Sequence, residues 1–487
     1  MIKILKISLW VFMITTNAYA QNVIKVQLDT SLKGPYTGRL IVYLQSDTNK
    51  AFGASKEEWP SYAINVINWK TGTLQVLDKT SDSYPKVMDA LPKGYYKMVA
   101  TLDTNTKERS YSAPGNLYTK FELVAKLDSG QTKAPVLTLT HVTKERKFVE
   151  STLTKEVVLK SELLTKFRKE AIFMKAGIVL PASYESQPQR KFPVVYVIPG
   201  WTGNHHQANS KSQHQAYGVG EGQEKIFVFL NPETQTPFGL HAFVDSRVNG
   251  PWGSALINEL IPYLESQFRI SKTPEHRLIT GQSSGGYGAI WLALHFPEKF
   301  GGCWATSPDP VDFSSFTGVD IYQDENYFYD RNKMERGIDI FNGKPKTTLR
   351  NTFVKEQVDG DGGQQQSFEA AFGLPDHHGR PQALFDPTTG KINKMVANSW
   401  RPYDLALYVQ QNWPKIKHYV DQKIRIYVGE NDNYLLQHSA LMFEKKIKTI
   451  GAGIQVQMIK NADHFNTRLM VTRTIQKEMD ETIESIK

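Results

Sequence analysis

Residues 276–290 read His-Arg-Leu-Ile-Thr-Gly-Gln-Ser-Ser-Gly-Gly-Tyr-Gly-Ala-Ile, and no other stretch limits the possible folds so sharply. A short strand-like run, Arg277 to Thr280, ends in Gly281-Gln282-Ser283-Ser284-Gly285, and an apolar helix-like segment follows at once. This is G-x-S-x-G in a strand–turn–helix setting. So tight a turn leaves no room for side chains at Gly281 and Gly285, and Gly286 adds a third small position where helix meets sheet. A Ser/Gly turn that only caps a helix gives the same letters, but the setting favours a raised, nucleophilic serine. Ser283 is the candidate nucleophile, and Ser284 is the residue after it.

A serine hydroxyl is inert at neutral pH without a base and an acid that orients the base. In chain order the partners should follow as acid and then histidine, each just past a strand. Lys423–Val428 alternates like a strand and runs into Gly429-Glu430-Asn431-Asp432. Ile454–Ile459 does the same and runs into Lys460-Asn461-Ala462-Asp463-His464-Phe465. His464 is therefore the candidate base and Asp432 the preferred acid. Glu430, two residues earlier on the same loop, is the rival. Asp463 reads as a solvated loop residue.

Acyl transfer also needs N–H donors aimed at a developing oxyanion. The backbone of Ser284 offers one. Phe192–Ile198 is apolar throughout, as a strand covered on both faces requires. It leads into Pro199-Gly200-Trp201-Thr202-Gly203, where the Trp201 amide is the second candidate. Read as structure alone, Pro-Gly-Trp is a tight turn with a packed aromatic.

Other polar clusters suggest no chemistry of their own. His205, His206 and His214 share one loop without the spacing of a metal site, and His377-His378 follow a Pro-Asp turn. Asp359-Gly-Asp361-Gly-Gly begins like a calcium loop, but Gly363 and Ala370 stand where later ligands belong. No metal and no cofactor are expected.

From about Val157 onward the chain resembles the putative esterase family of α/β-hydrolases, with its enterochelin-esterase-like, S-formylglutathione-hydrolase-like and feruloyl-esterase-like members. The likeness rests on Phe192–Gly203, on His241-Ala-Phe-Val-Asp-Ser-Arg-Val-Asn-Gly-Pro-Trp252, on Gly281–Pro297 and on Asp463-His464-Phe465. Members commonly carry His-Gly where this chain has Pro199-Gly200. The resemblance implies that Asn249 and Trp252 rim the substrate site; read locally, the same stretch is a helix start with Trp252 in the core.

Met1–Lys6 is basic, Ile7–Thr16 is apolar, and Ala18-Tyr19-Ala20 is a small-residue cleavage site, the pattern of an export leader over residues 1–20. The expected location is periplasmic or secreted, with no stable membrane insertion. Cys303 is the only cysteine, so no internal disulfide can form. The formal charge of +9, or +7 without Lys3 and Lys6, is scattered, with no motif for nucleic acid.

Residues 21–150 hold short alternating runs parted by turns, which predicts an antiparallel β-sandwich-like domain. From 151 to 487 strands and helices alternate, which predicts a doubly wound, mostly parallel α/β sheet of the hydrolase type. Residues 307–421 interrupt that alternation, and so long a connection predicts a cap or lid. Its aromatics, Tyr322, Tyr327, Phe328, Tyr329, Trp400 and Tyr403, are expected to form a small core of the cap; the other reading is that they stack on a sugar or phenolic group. The function expected is that of an exported serine esterase acting on a small-molecule or carbohydrate-linked ester through an acyl-enzyme. The alternatives are an acyltransferase with a sugar or lipid acceptor, and a non-catalytic glycan-binding envelope protein.

Overall fold

The structure is a computed structural model that describes residues 22–50, 59–109, 113–128 and 133–485. The leader expected at residues 1–20 lies outside them. The chain forms two compact units, one of residues up to Leu102 with Leu117–His141, the other of Asp103–Asn116 with Val142 onward.

In the first unit, Gln75–Leu77, Ile24–Leu28 and Val136–Leu139 make a three-stranded sheet. A larger sheet is built on Tyr36–Gln45, Ser61–Trp69 and Gly94–Asp103. Alternate residues of the two sheets, among them Val26, Leu28, Leu40, Val42, Met98 and Leu137, share one apolar core. One pairing departs from the antiparallel expectation. Ile24–Leu28 runs parallel to Val136–Leu139, because the partner strand arrives from the far end of the unit rather than through a hairpin.

The second unit is organised by one sheet of eight strands: β1 (Thr154–Ser161), β2 (Ile172–Val179), β3 (Val194–Ile198), β4 (Ile226–Leu230), β5 (Arg277–Gln282), β6 (Gly302–Thr306), β7 (Ile424–Gly429) and β8 (Gln455–Ile459). Their spatial order is β1-β2-β4-β3-β5-β6-β7-β8. The β1–β2 and β2–β4 pairs are antiparallel, and every other pair is parallel. This is the α/β-hydrolase architecture. Sequence reasoning passed over β1, which lies at the sheet edge and holds only the short apolar run Val157–Leu159.

Strand β3 shows why the core strands read as unbroken apolar stretches. Val194, Tyr196 and Ile198 join the apolar cluster on one face, while Val195 and Val197 join that on the other. On the first face lie α1 (Ser284–His295), α2 (Leu405–Val420) and α3 (Leu436–Lys448). On the second lies α4 (Thr467–Glu484), through Val471, Ile475 and Met479. Between β3 and β5 the strand order reverses, which opens a crevice beyond their C-terminal ends.

Residues 307–421 hold a hairpin, Gly337–Phe341 with Lys344–Thr348, several short helices and then α2. Tyr327, Phe328, Trp400 and Tyr403 do not form a separate small core. They are buried in the same apolar cluster as the first face of the sheet, because α2 ties the segment to α1.

Candidate active site

Ser283 stands at the junction of β5 and α1 with φ 55° and ψ −125°, a backbone state that costs a non-glycine residue energy. Its neighbours explain why it is tolerated. A Cβ on Gly281 would run into the Gly285 carbonyl, and one on Gly285 would run into the Ile198 carbonyl at the end of β3. Ser283 is also held from the adjacent strand end: its N–H donates to Thr306 O at 3.0 Å, and its carbonyl accepts from Asp309 N–H at 3.1 Å.

The loop after β3 crosses this turn. A Cβ on Gly200 would lie 3.2 Å from the Gln282 carbonyl oxygen and 3.4 Å from Ser283 Cβ, so the Trp201 amide comes next in the chain beside the serine. A tight turn closed by Gly203 N–H to Gly200 O, 3.0 Å, fixes the loop. Ser284 is the first residue of α1, where backbone N–H groups have no acceptor within the helix and the helix dipole favours negative charge.

Past β7 and β8, the structure brings Asp432 and His464 together. Asp432 Oδ2 is 2.9 Å from His464 Nδ1, and its Oδ1 accepts from Tyr434 N–H at 3.0 Å. Both residues are buried, whereas the rival Glu430 is exposed. Asp463 folds back to accept from Phe465 N–H and Asn466 N–H, 2.9 and 2.8 Å, ahead of α4. Asn433 does two tasks. Its Oδ1 accepts from His464 N–H at 3.0 Å, and its Nδ2 donates to Ile340 O on the 337–348 hairpin at 2.7 Å. The hairpin thus lies against the histidine loop, and Phe341 faces the exposed ring of Phe465, 6.3 Å away and 16° from parallel.

Trp252 is a core residue, stacked 3.8 Å from His241, with its indole N–H on Asn249 O at 3.1 Å. Asn249 is buried with both ends of its side-chain amide unpartnered among the described residues. His205 pairs with Glu156 at 2.9 Å and His214 with Ala208 O at 2.7 Å. Asp359 binds Lys355 at 2.6 Å and Asp361 binds Arg380 at 2.5 Å. Among the described residues, no three His, Cys, Asp or Glu side chains are grouped to hold a metal ion, and no helix is long and apolar enough to cross a membrane.

A family model described as "Putative esterase" matches residues 173–465, more than half of the 487-residue chain. The chain belongs to the putative esterase family. It is a carboxylic ester hydrolase. Similar solved structures include a ferulic acid esterase (16% identity, 68% of this chain and 99% of that one, TM-score 0.44). An S-formylglutathione hydrolase from Agrobacterium tumefaciens is 18% identical over 69% and 95% of the two chains, with a TM-score of 0.41. A ferulic acid esterase from Anaeromyces mucronatus is 14% identical over 71% and 95%, with a TM-score of 0.38.

One residue beside Ser283 was absent from the sequence reading. The Ser283 hydroxyl donates to Asp309 Oδ1 at 3.3 Å rather than to the imidazole. Asp309 lies three residues past β6, and the β5–β6 pairing of Gln282 with Thr306 brings that strand end to the serine. The only signal in the sequence was its place after a strand next to β5. Burial raises its carboxyl to about 6, against the pull of the Ser284 hydroxyl, His464 and Ser283, while Asp432 adds to the rise.

The sign of its effect on stability follows. An acid with a raised folded-state pKa binds its proton more tightly in the folded protein, so its contribution is full below the unfolded value of 3.8 and is lost as pH rises through about 6. The shift of roughly two units corresponds to about 3 kcal/mol. Glu356 and Glu369, both raised to about 7 by burial, act in the same direction, so only a difference curve isolates Asp309. Asp309→Asn should gain stability relative to wild type by up to about 3 kcal/mol between pH 4 and pH 7. Urea unfolding of the two proteins across that range checks this; parallel curves would exclude a buried, titrating Asp309.

Proposed function

We propose that the esterase works through an acyl-enzyme on Ser283, with His464 as general base and Asp432 as the acid that orients it. Ser283 Oγ attacks the ester carbonyl carbon while His464 Nε2 takes its proton. The negative charge that develops on the carbonyl oxygen is received by the backbone N–H groups of Trp201 and Ser284. As the carbon–alcohol bond breaks, His464 returns the proton to the leaving oxygen. Water, activated by the same imidazole, then attacks the acyl-enzyme and releases the acid.

The observation that carries this reading is the 2.9 Å pairing of His464 Nδ1 with buried Asp432, past the strand ends on the same edge of the sheet as the strained turn of Ser283. With Nδ1–H committed to the carboxylate, Nε2 is left as the basic nitrogen. On this reading the Ser283 hydroxyl leaves Asp309 for Nε2 when substrate is bound, as catalytic hydrogen bonds often tighten only then. Around His464, Phe465 and Phe341 present parallel rings, with Lys346 Nζ 3.6 Å over the Phe341 ring. Such a rim suits an ester with a flat face, a sugar or an aromatic ring, in its acyl or alcohol part.

Treatment with a fluorophosphonate, followed by peptide mass mapping, tests the assignment. One adduct is expected, on the peptide that contains Ser283, with loss of p-nitrophenyl acetate turnover in proportion to labelling. Loss of turnover with the adduct on another residue, or full labelling with turnover intact, would overturn it.

A further inference from the structure

Residues 103–116 lie in sequence between two strands of the first unit and well before the family match at 173–465, yet they belong to the second unit. From this segment comes Arg109, whose side chain is only 7% exposed. Among the described residues its guanidinium makes three contacts. Nη2 donates to Gly203 O at 3.2 Å, Cζ lies 4.6 Å from the centroid of the Trp201 ring, and Nε is 3.1 Å from Glu233 Oε1. Glu233, just past β4, is itself buried, and burial raises its carboxyl while Arg109 pulls it down. On another side Gly362 closes in: a Cβ there would lie 3.2 Å from Arg109 Cβ.

We infer that Arg109 is a positioning residue for the oxyanion loop, so that the catalytic site is incomplete without a segment outside the esterase family match. The inference rests on the acyl-enzyme reading given above. The loop from Pro199 to Gly203 must hold one N–H, that of Trp201, at a fixed point beside Ser283. Arg109 grips the loop just past that amide, by stacking on the Trp201 side chain and by a hydrogen bond to Gly203 two residues on. Glu233 anchors the guanidinium from behind. Only a planar, forked cation can stack, donate and pair at once, which a lysine cannot do. Arg109 contacts Gly203, Trp201 and Glu233, so it acts through the placement of the amide.

Three variants separate this role from a structural ion pair. Arg109→Lys keeps the charge opposite Glu233 but loses the stack and the fork. Its Tm should stay within a few degrees of wild type, while kcat for p-nitrophenyl acetate falls about 10- to 100-fold and KM changes less than ~3-fold, since a donor displaced by ~1 Å loses much of its effect on the transition state. Arg109→Leu alone leaves Glu233 buried without a partner and should lower Tm. The pair Arg109→Leu with Glu233→Leu removes that penalty, because two apolar side chains replace a buried ion pair at little cost. It should recover Tm but not kcat. Wild-type kcat in the lysine variant or in the folded double variant would overturn the inference. Wild-type turnover that survives Ser283→Ala would instead remove the acyl-enzyme reading itself, and the inference with it.

Discussion

Ser283→Ala is expected to lower kcat for p-nitrophenyl acetate by at least about 10⁴-fold, to the level supplied by binding and the oxyanion donors alone. The size follows from the mechanism. On the proposed mechanism no acyl-enzyme forms without Oγ, and His464 can act only by activating water. The loss should fall in kcat, not in KM, because the hydroxyl does little for ground-state binding. The fold should tolerate the change well. Ser283 is strained through its backbone, φ 55°, and alanine is no worse at that angle; its side chain makes one hydrogen bond, to Asp309 at 3.3 Å. Circular dichroism and Tm near wild type, with turnover lost, are the expected result. Equal turnover in both proteins would take Ser283 out of catalysis.

How much of this site could be read from the sequence depends on how far apart its parts are in the chain. The turn at Gly281–Gly285 is local, because the clash that demands each glycine is with residues of the same strand–turn–helix or with the neighbouring β3 end, and the letters record it. Asp432 and His464 were legible because both stand just past alternating strands, and a doubly wound sheet gathers such strand ends on one edge. The choice of Asp432 over Glu430 is a matter of which side chain turns inward, and the sequence favoured it only by position. Asp309 follows the same rule of strand ends, but its partner is fixed by the register of β5 against β6, which no local pattern encodes. Arg109 carried no signal at all. It meets Trp201 and Glu233 only because residues 103–116 join the second unit, and no periodicity announces a contact across so much chain. Strand β1 was missed for the opposite reason: an edge strand with only three apolar residues in a row lacks the longer run that betrays its central neighbours.

Asp432→Asn should cost about 10⁴-fold in kcat near neutral pH, while Glu430→Gln and Asp463→Asn should leave it within ~2-fold. The reasoning turns on the hydrogen bond at His464 Nδ1. The Asp432 carboxylate can only accept, so it holds the proton on Nδ1, and on the proposed mechanism this leaves Nε2 free to take the serine proton. An asparagine in the same place can turn its NH₂ toward Nδ1, which moves the imidazole proton to Nε2 and removes the base. It also withdraws the negative charge that steadies the imidazolium formed in the transition state. Asp432 Oδ1 accepts from Tyr434 N–H, a bond an amide oxygen can keep, and that bond favours the orientation that presents NH₂ to the ring. Glu430 is exposed and Asp463 is occupied with the N–H groups of Phe465 and Asn466, so neither can stand in. Asp309 is another buried carboxyl near the imidazole, and its pull is felt from the serine side. If it supplies part of the charge stabilisation, the double variant Asp432→Asn with Asp309→Asn should lose more than Asp432→Asn alone, above pH 6 but not below it, because Asp309 is ionised only above about 6. The pH profiles of kcat for the single and double variants decide this. A single variant that keeps wild-type kcat would pass the orienting role to another acid, and Asp309 would be the first to replace.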